Sequence, residues 1–207
     1  MDCFSFNHPS EVRKLKEEYK NITFISTDHT MQHLYGKPYV SISTMISAML
    51  NEDENICLIN SDIELDFQPK LLKSIEKKLE SSVVVVNRND YEKKKVNTEK
   101  YINGIDVFFL GKQHLEIYPP SSFCMGQCFW DYHIPYVALK NDIEVIALQN
   151  DFAFHKKHKV QYSDENWKKT GEYFILEHGL NYGQNEVGRM NEMVFNYLNL
   201  MMKKQTL

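Results

Sequence analysis

Neither glycine-rich fingerprint of a phosphate-binding loop occurs in the chain. Its 8 glycines are scattered through 207 residues, and nothing matches the Rossmann or the P-loop pattern. A P-loop or dinucleotide-binding enzyme is therefore disfavoured. Cysteine is scarce as well. Cys3, Cys57, Cys124 and Cys128 fit no zinc spacing, since three residues rather than two separate the last pair. No apolar run approaches the ~20 residues of a bilayer span, and no signal peptide opens the sequence. The expectation is a reduced, cytoplasmic protein without a membrane span. Charge of one sign is not in excess either: a formal net charge of -4 gives no sequence-wide basic field for nucleic acid or acidic lipid.

What the chain does have is an alternation of short apolar runs and amphipathic stretches. Asp2 to Phe6 reads as a strand, broken by Asn7-His8-Pro9-Ser10. Pro9 suits the first turn of a helix whose apolar stripe is Val12, Leu15 and Tyr19. Ile22 to Ile25 is a second strand, ending in Ser26-Thr27-Asp28. The spacing predicts helices from about Val40 to Leu50 and over Lys70 to Leu79, and valine-rich Ser82 to Val86 reads as a central strand. Residues 88–100 are polar and read as a loop, carrying the solvated run Lys93-Lys94-Lys95. Ile105 to Leu110 and Ile143 to Leu148 are further strands. Met190, Met193, Val194, Tyr197, Leu198 and Met201 mark a packing helix within Glu186 to Lys204. The order β-α-β-α-β-α-β argues for the α/β class: three layers, with a mostly parallel sheet flanked by helices and an antiparallel C-terminal part. With 43% hydrophobic residues the chain has enough apolar material for one domain.

The stretch on which the rest is arranged is Ile56-Cys57-Leu58-Ile59. Four apolar residues in a row read as a strand buried on both faces. It runs straight into Asn60, Ser61, Asp62 and Glu64, a cluster of oxygen ligands. Ligands gather where strands of open α/β sheets end, and these oxygens suit a hard cation such as Mg²⁺ or Mn²⁺. The ordinary use of a lone Asp there is a turn or a helix cap. His155 and His158 follow just beyond the last strand, and one of them suits a second ligand. Imidazole favours Mn²⁺ over Mg²⁺. The alternative is a surface histidine in a basic loop with Lys156, Lys157 and Lys159, cations that suit phosphates. Asp131, after Trp130 at a helix start, reads either as an N-cap or as a general base. Asp106 is odd inside a strand. Trp130, Tyr132 and Trp167 suit either sugar faces or the core.

Taken in order, Ser5-Phe6-Asn7-His8-Pro9, Thr27-Asp28 and Asn60-Ser61-Asp62 stand after successive strands. In that arrangement the chain resembles the GT-A, Rossmann-like glycosyltransferases that use nucleotide sugars. Gly36-Lys37-Pro38-Tyr39-Val40, Ile59-Asn60-Ser61-Asp62-Ile63 and Phe129-Trp130-Asp131-Tyr132 narrow the likeness to a group of bacterial and large-virus members. The resemblance implies a metal-dependent transfer from a UDP-sugar to a hydroxyl of a glycan or glycoprotein, with inversion and Asp131 as base. For a viral member the setting would be the host cytoplasm. Asn60-Ser61-Asp62 stands in the place of the family's Asp-any-Asp motif, with Asn60 where a carboxylate is usual, so Asp62 carries the motif's charge. Asp62 and His155 are implied for the metal. Asn7, Thr27, Asp28, Lys37, Asn60, Ser61, Asp62 and His158 are implied around the nucleotide sugar, and an Asp can accept from the uracil imide N–H. Residues 1–87 then form the nucleotide-binding half, 88–180 the acceptor and catalytic half, and 181–207 a packing helix of a piece of a longer, multidomain chain.

Two other readings compete. A sugar-1-phosphate nucleotidyltransferase needs a glycine-rich basic loop after the first strand, where Asn7-His8-Pro9-Ser10 has neither glycine nor arginine. A catalytically silent module that only binds glycans or proteins is kept open by Asn60.

Overall fold

The computed structural model describes residues 2–93, 95, 98–158 and 163–207. Lys94 of the first lysine cluster and Lys159 of the second lie outside the described residues. The chain opens with β1 (Phe4–Asn7), α1 (Pro9–Glu18) and β2 (Thr23–Ser26), then a short α2 (Gln32–Tyr35), α3 (Ile42–Met49), β3 (Ile56–Ile59) and β4 (Ile63–Leu65). It continues through α4 (Pro69–Leu79), β5 (Ser82–Val86), β6 (Asn89–Tyr91), β7 (Glu99–Lys100) and β8 (Val107–Leu110). The last part is α5 (Trp130–Lys140), β9 (Glu144–Leu148), β10 (Ala153–Lys156), α6 (Asp164–Glu177), α7 (Val187–Met201) and β11 (Lys203–Gln205).

Side chains with oxygen or imidazole acceptors set several of the helix starts. Ser41 Oγ accepts from Thr44 N–H at 3.2 Å and Ser163 Oγ from Asn166 N–H at 3.2 Å, while His8 caps α1 with Pro9 next to it. The central sheet has the order β11-β9-β5-β8-β3. Alternate valines of β5 face opposite sides: Val83 and Val85 join one apolar cluster, Val84 and Val86 the other. The first cluster takes in α3, α5, α6 and α7, and the second takes in Ile75 and Leu79 of α4. Helices thus cover both faces, which explains a strand of five fully buried residues. Among the described residues no helix is long and apolar enough to cross a membrane.

The expected mostly parallel sheet with an antiparallel C-terminal part does not form. In the central sheet β8 runs antiparallel to both β5 and β3, whereas β5, β9 and the C-terminal β11 are parallel. The only all-parallel sheet among the described residues is the two-stranded β1–β2. A third sheet, β4-β10-β6-β7, pairs β10 antiparallel to β4 and parallel to β6. The physical reason lies between β5 and β8. A parallel neighbour needs a crossover, usually a helix, and the described residues of 88–106 supply none. They leave the central sheet, contribute β6 and β7 to the third sheet, and return in the opposite direction. The stretch 88–100 is therefore not simply a loop. β3 also differs from the expectation: it ends the row of the sheet, with Ile56 and Leu58 buried and Cys57 and Ile59 only partly so.

Candidate metal centre and carboxyl pair

β3 ends at Ile59, opposite Val107 of β8, so Asn60 meets the residue just before β8. That residue is Asp106, 4% exposed. Asn60 Nδ2 donates to Asp106 Oδ1 at 3.0 Å. A carboxylate at position 60 would face Asp106 with like charge, which gives the amide there a structural reason. Arg88, on the way from β5 to β6, closes on Asp106 from the other side. Its Nη1 donates to Oδ1 at 2.9 Å and to Oδ2 at 3.0 Å, and its guanidinium lies 4.1 Å from the centre of the Tyr101 ring. Burial works against the Arg88 charge, but Asp106 and Asp90 outweigh it and hold the guanidinium more firmly protonated than usual. Burial also pushes Asp106 above the ordinary carboxylate range, against the pull of Arg88 and Asn60.

From Arg88 the network continues to the third sheet. Arg88 Nε donates to Asp90 Oδ1 at 2.8 Å, and the same oxygen lies 2.9 Å from His155 Nδ1. Register dictates that contact: His155 of β10 stands opposite both Ile63 of β4 and Asp90 of β6, so the three side chains share one face. The other ring nitrogen, Nε2, lies 3.4 Å from Asp62 Oδ2. His158 completes the group with Nε2 at 3.1 Å from the same oxygen. One donor atom from each of Asp62, His155 and His158 falls within 4.8 Å of the others. Two imidazoles and a carboxylate suit Mn²⁺, Fe²⁺ or Zn²⁺ better than Mg²⁺. A neutral His155 that donates Nδ1–H to Asp90 presents the Nε2 lone pair to an ion, the usual carboxylate–histidine arrangement behind a metal. The donor set therefore fits a divalent cation.

Asp106 also acts electrostatically on Asp131, in the first turn of α5. The helix starts at Phe129, which takes φ 64°, a left-handed conformation costly for a bulky residue. The Phe129 ring is held by Tyr132, Trp167 and Phe174. Asp131 is half-buried. Burial, reinforced by the Asp106 carboxylate, pushes its carboxyl up to about 7, although backbone N–H groups of Ile105, Asp131 and Tyr132 pull the other way. Ile105 N–H donates to Oδ2 at 3.3 Å. Gly104 lies against the same oxygen: a Cβ there would stand 3.0 Å from Oδ2 and 3.0 Å from Tyr101 Cε1.

The structure brings Asp62, His155 and His158 together and ties them through Asp90, Arg88 and Asp106 towards Asp131. Asn60 is committed to Asp106, and Ser61 is exposed beside it. The other nucleotide candidates belong to the β1–β2 sheet. Asn7 Oδ1 accepts from Ser5 at 2.8 Å, Thr27 Oγ1 accepts from His29 N–H at 3.1 Å, and exposed Asp28 lies 3.8 Å from His8. Lys37 is exposed, next to left-handed Gly36. Glu64 stands on the opposite face of β4 from the triad, bonded to Tyr91 and paired with Lys95 at 2.8 Å. Lys157 pairs with Glu99 at 3.1 Å, and Lys156 is exposed. Trp130 and Tyr132 are buried, and Trp167 packs on Phe129, so all three serve the core. Sequence reasoning missed Arg88 and Asp90. A signal was present: Arg88 is one of only three arginines, with Arg13 and Arg189, in a lysine-rich chain. It also directly follows the buried β5 and Asn87. No protein-family model matches the chain, and no curated protein matches it in sequence.

Proposed function

We propose that the protein is a divalent-cation-dependent glycosyltransferase, moving a sugar from a UDP-sugar to a glycan hydroxyl with inversion. The observation that carries this reading is the convergence of Asp62, His155 and His158 into one donor set, with a hydrogen-bonded run from it to Asp106, the carboxylate whose charge acts on Asp131, a carboxyl of raised proton affinity. A cation held by Asp62, His155 and His158 supplies Lewis acidity for the departing diphosphate. The chain's own residues do the rest. Asp131 takes the proton of the acceptor hydroxyl as that oxygen bonds to the anomeric carbon from the face opposite the UDP. The bond from the anomeric carbon to the diphosphate oxygen breaks, and UDP leaves with the electron pair. A base with a pKa of about 7 suits neutral pH. Gly104 keeps space open at the Asp131 oxygen, and Arg88 and Asn60 hold Asp106 away from the acceptor.

Calorimetric titration of UDP with Mn²⁺, and again with EDTA, tests the reading. Metal-dependent binding followed by release of UDP from a UDP-sugar supports it. No binding in either condition overturns it in favour of a silent module.

A further inference from the structure

Arg88 is the cation in the hydrogen-bonded run from the triad to the buried Asp106, and it is spent on two partners at once. Its Nη1 forks onto Asp106 at 2.9 and 3.0 Å, and its Nε meets Asp90 at 2.8 Å. Its side chain is 19% exposed and lies over the Tyr101 ring at 4.1 Å. A planar guanidinium can serve both directions in this way; an ammonium cannot. The two carboxylates it holds have separate neighbours. Asp90 backs His155 at 2.9 Å. Burial and the Asp106 carboxylate raise Asp131, against the N–H groups of Ile105 and Tyr132, and Cys128 and, across Gly104, Tyr101 also lie near it.

We propose that Arg88 is the positioning residue shared by both halves of the site, orienting His155 for a cation through Asp90 and setting the surroundings of Asp131 through Asp106. The inference rests on the reading of Asp62, His155 and His158 as a cation site, but it does not require glycosyl transfer. Without Arg88, Asp90 loses the partner that fixes it beneath His155. The Asp106 carboxyl loses the positive charge facing it, so it holds a proton to higher pH. Without the Asp106 charge, Asp131 loses its proton at lower pH.

Two measurements on purified protein test this, neither of them turnover. One is Mn²⁺ affinity by calorimetry. The other is the Asp131 midpoint in metal-free protein, from ¹³C NMR of carboxyl-labelled aspartate assigned by Asp131→Asn. Arg88→Gln should weaken Mn²⁺ binding ~10- to 100-fold and shift the midpoint by about half a unit or more. Asp90→Asn should show the metal loss alone, and Asp106→Asn a lowered midpoint alone. Arg88→Gln with either quantity at the wild-type value overturns the proposal. So does a matched change in both quantities in Asp90→Asn and Asp106→Asn, which would mark general loosening. Should Arg88→Gln lack the cooperative melting of the wild type, the two aspartate variants decide by the same criterion. Failure of the glycosyltransferase reading would leave both readouts intact.

Discussion

Asp131 sits where a helix N-terminus should favour a carboxylate, yet its carboxyl is pushed up to about 7. Burial and Asp106 outweigh the backbone amides, and that balance has a cost that depends on pH. The folded pKa lies above the ordinary carboxyl value of 3.8, so the folded protein holds the proton more tightly than the unfolded one. Stability should therefore fall as pH rises from about 4 to about 7, and level off above. Asp131→Asn removes the ionisation and keeps an oxygen for Ile105 N–H. In thermal melts at pH 8 this variant should exceed the wild type, by on the order of 2 kcal/mol, and the gap should close towards pH 4. A gap that is constant with pH would mean that Asp131 is an ordinary surface carboxylate. In the same variant UDP affinity should persist while transfer drops by ~10²-fold or more. Gly104 offers a gentler probe. The extra methyl of Gly104→Ala would press Asp131 Oδ2 and the Tyr101 ring, each at 3.0 Å. About a tenfold loss of transfer with UDP binding unchanged is expected; unimpaired transfer would remove the glycine from the working site.

At the scale of elements, α5 and the C-terminal end of α6 meet through a histidine pair, His133 buried and His178 half-buried. His133 Nδ1 lies 3.2 Å from His178 Nε2, among Phe123, Tyr136 and Phe174. Burial pushes His133 down to about 3 and His178 down to about 4, so both are neutral and one donates to the other. Here the sign is the reverse of that for Asp131. The unfolded chain takes up protons first, so stability is full above about pH 6.5 and is lost as pH falls towards 4. His178→Gln should flatten that acid slope in denaturant titrations at pH 7 and pH 5; an unaltered slope would remove the pair as its source. Tight packing beside this pair explains a further residue. A side chain at Gly171 on α6 would collide with Val187 and press Phe129 at 3.1 Å.

These elements also mark what the sequence made legible. Ser82 to Val86, the apolar stripe of α4 and the periodic methionines of α7 follow from local pattern, and the structure has each of them. Asp62 and the two histidines were legible as donors because polar residues end apolar strands there. The join between them was not. It depends on Asp90 standing opposite His155 in β6–β10, a register between segments far apart in sequence. No run of alternating residues announces a three-residue strand such as Asn89–Tyr91, and β4, β10, β11 and α6 escaped for similar reasons.

At the scale of the whole molecule, strand direction was the least legible property. A repeat of strand and helix implies parallel pairing only while each connection crosses over. β8 follows an excursion through another sheet and returns antiparallel between β3 and β5. That return places Asp106 next to Asn60, and so puts the carboxyl network at the end of β3. The triad likewise draws on two distant parts of the chain, the turn after β3 and the end of β10. A ligand that binds only when both are in place must stabilise the folded state by mass action. Mn²⁺ at about 100 times its Kd should add about 2.7 kcal/mol, which for a chain of this size raises the melting temperature by ~5–10 °C. EDTA should reverse the gain, and Asp62→Ala or His155→Ala should abolish it while leaving the metal-free transition cooperative. A wild-type melting temperature indifferent to Mn²⁺, Fe²⁺ and Zn²⁺ would mean that Asp62, His155 and His158 meet only as a hydrogen-bonded cluster beside β4 and β10, and the metal-dependent mechanism would fall with it.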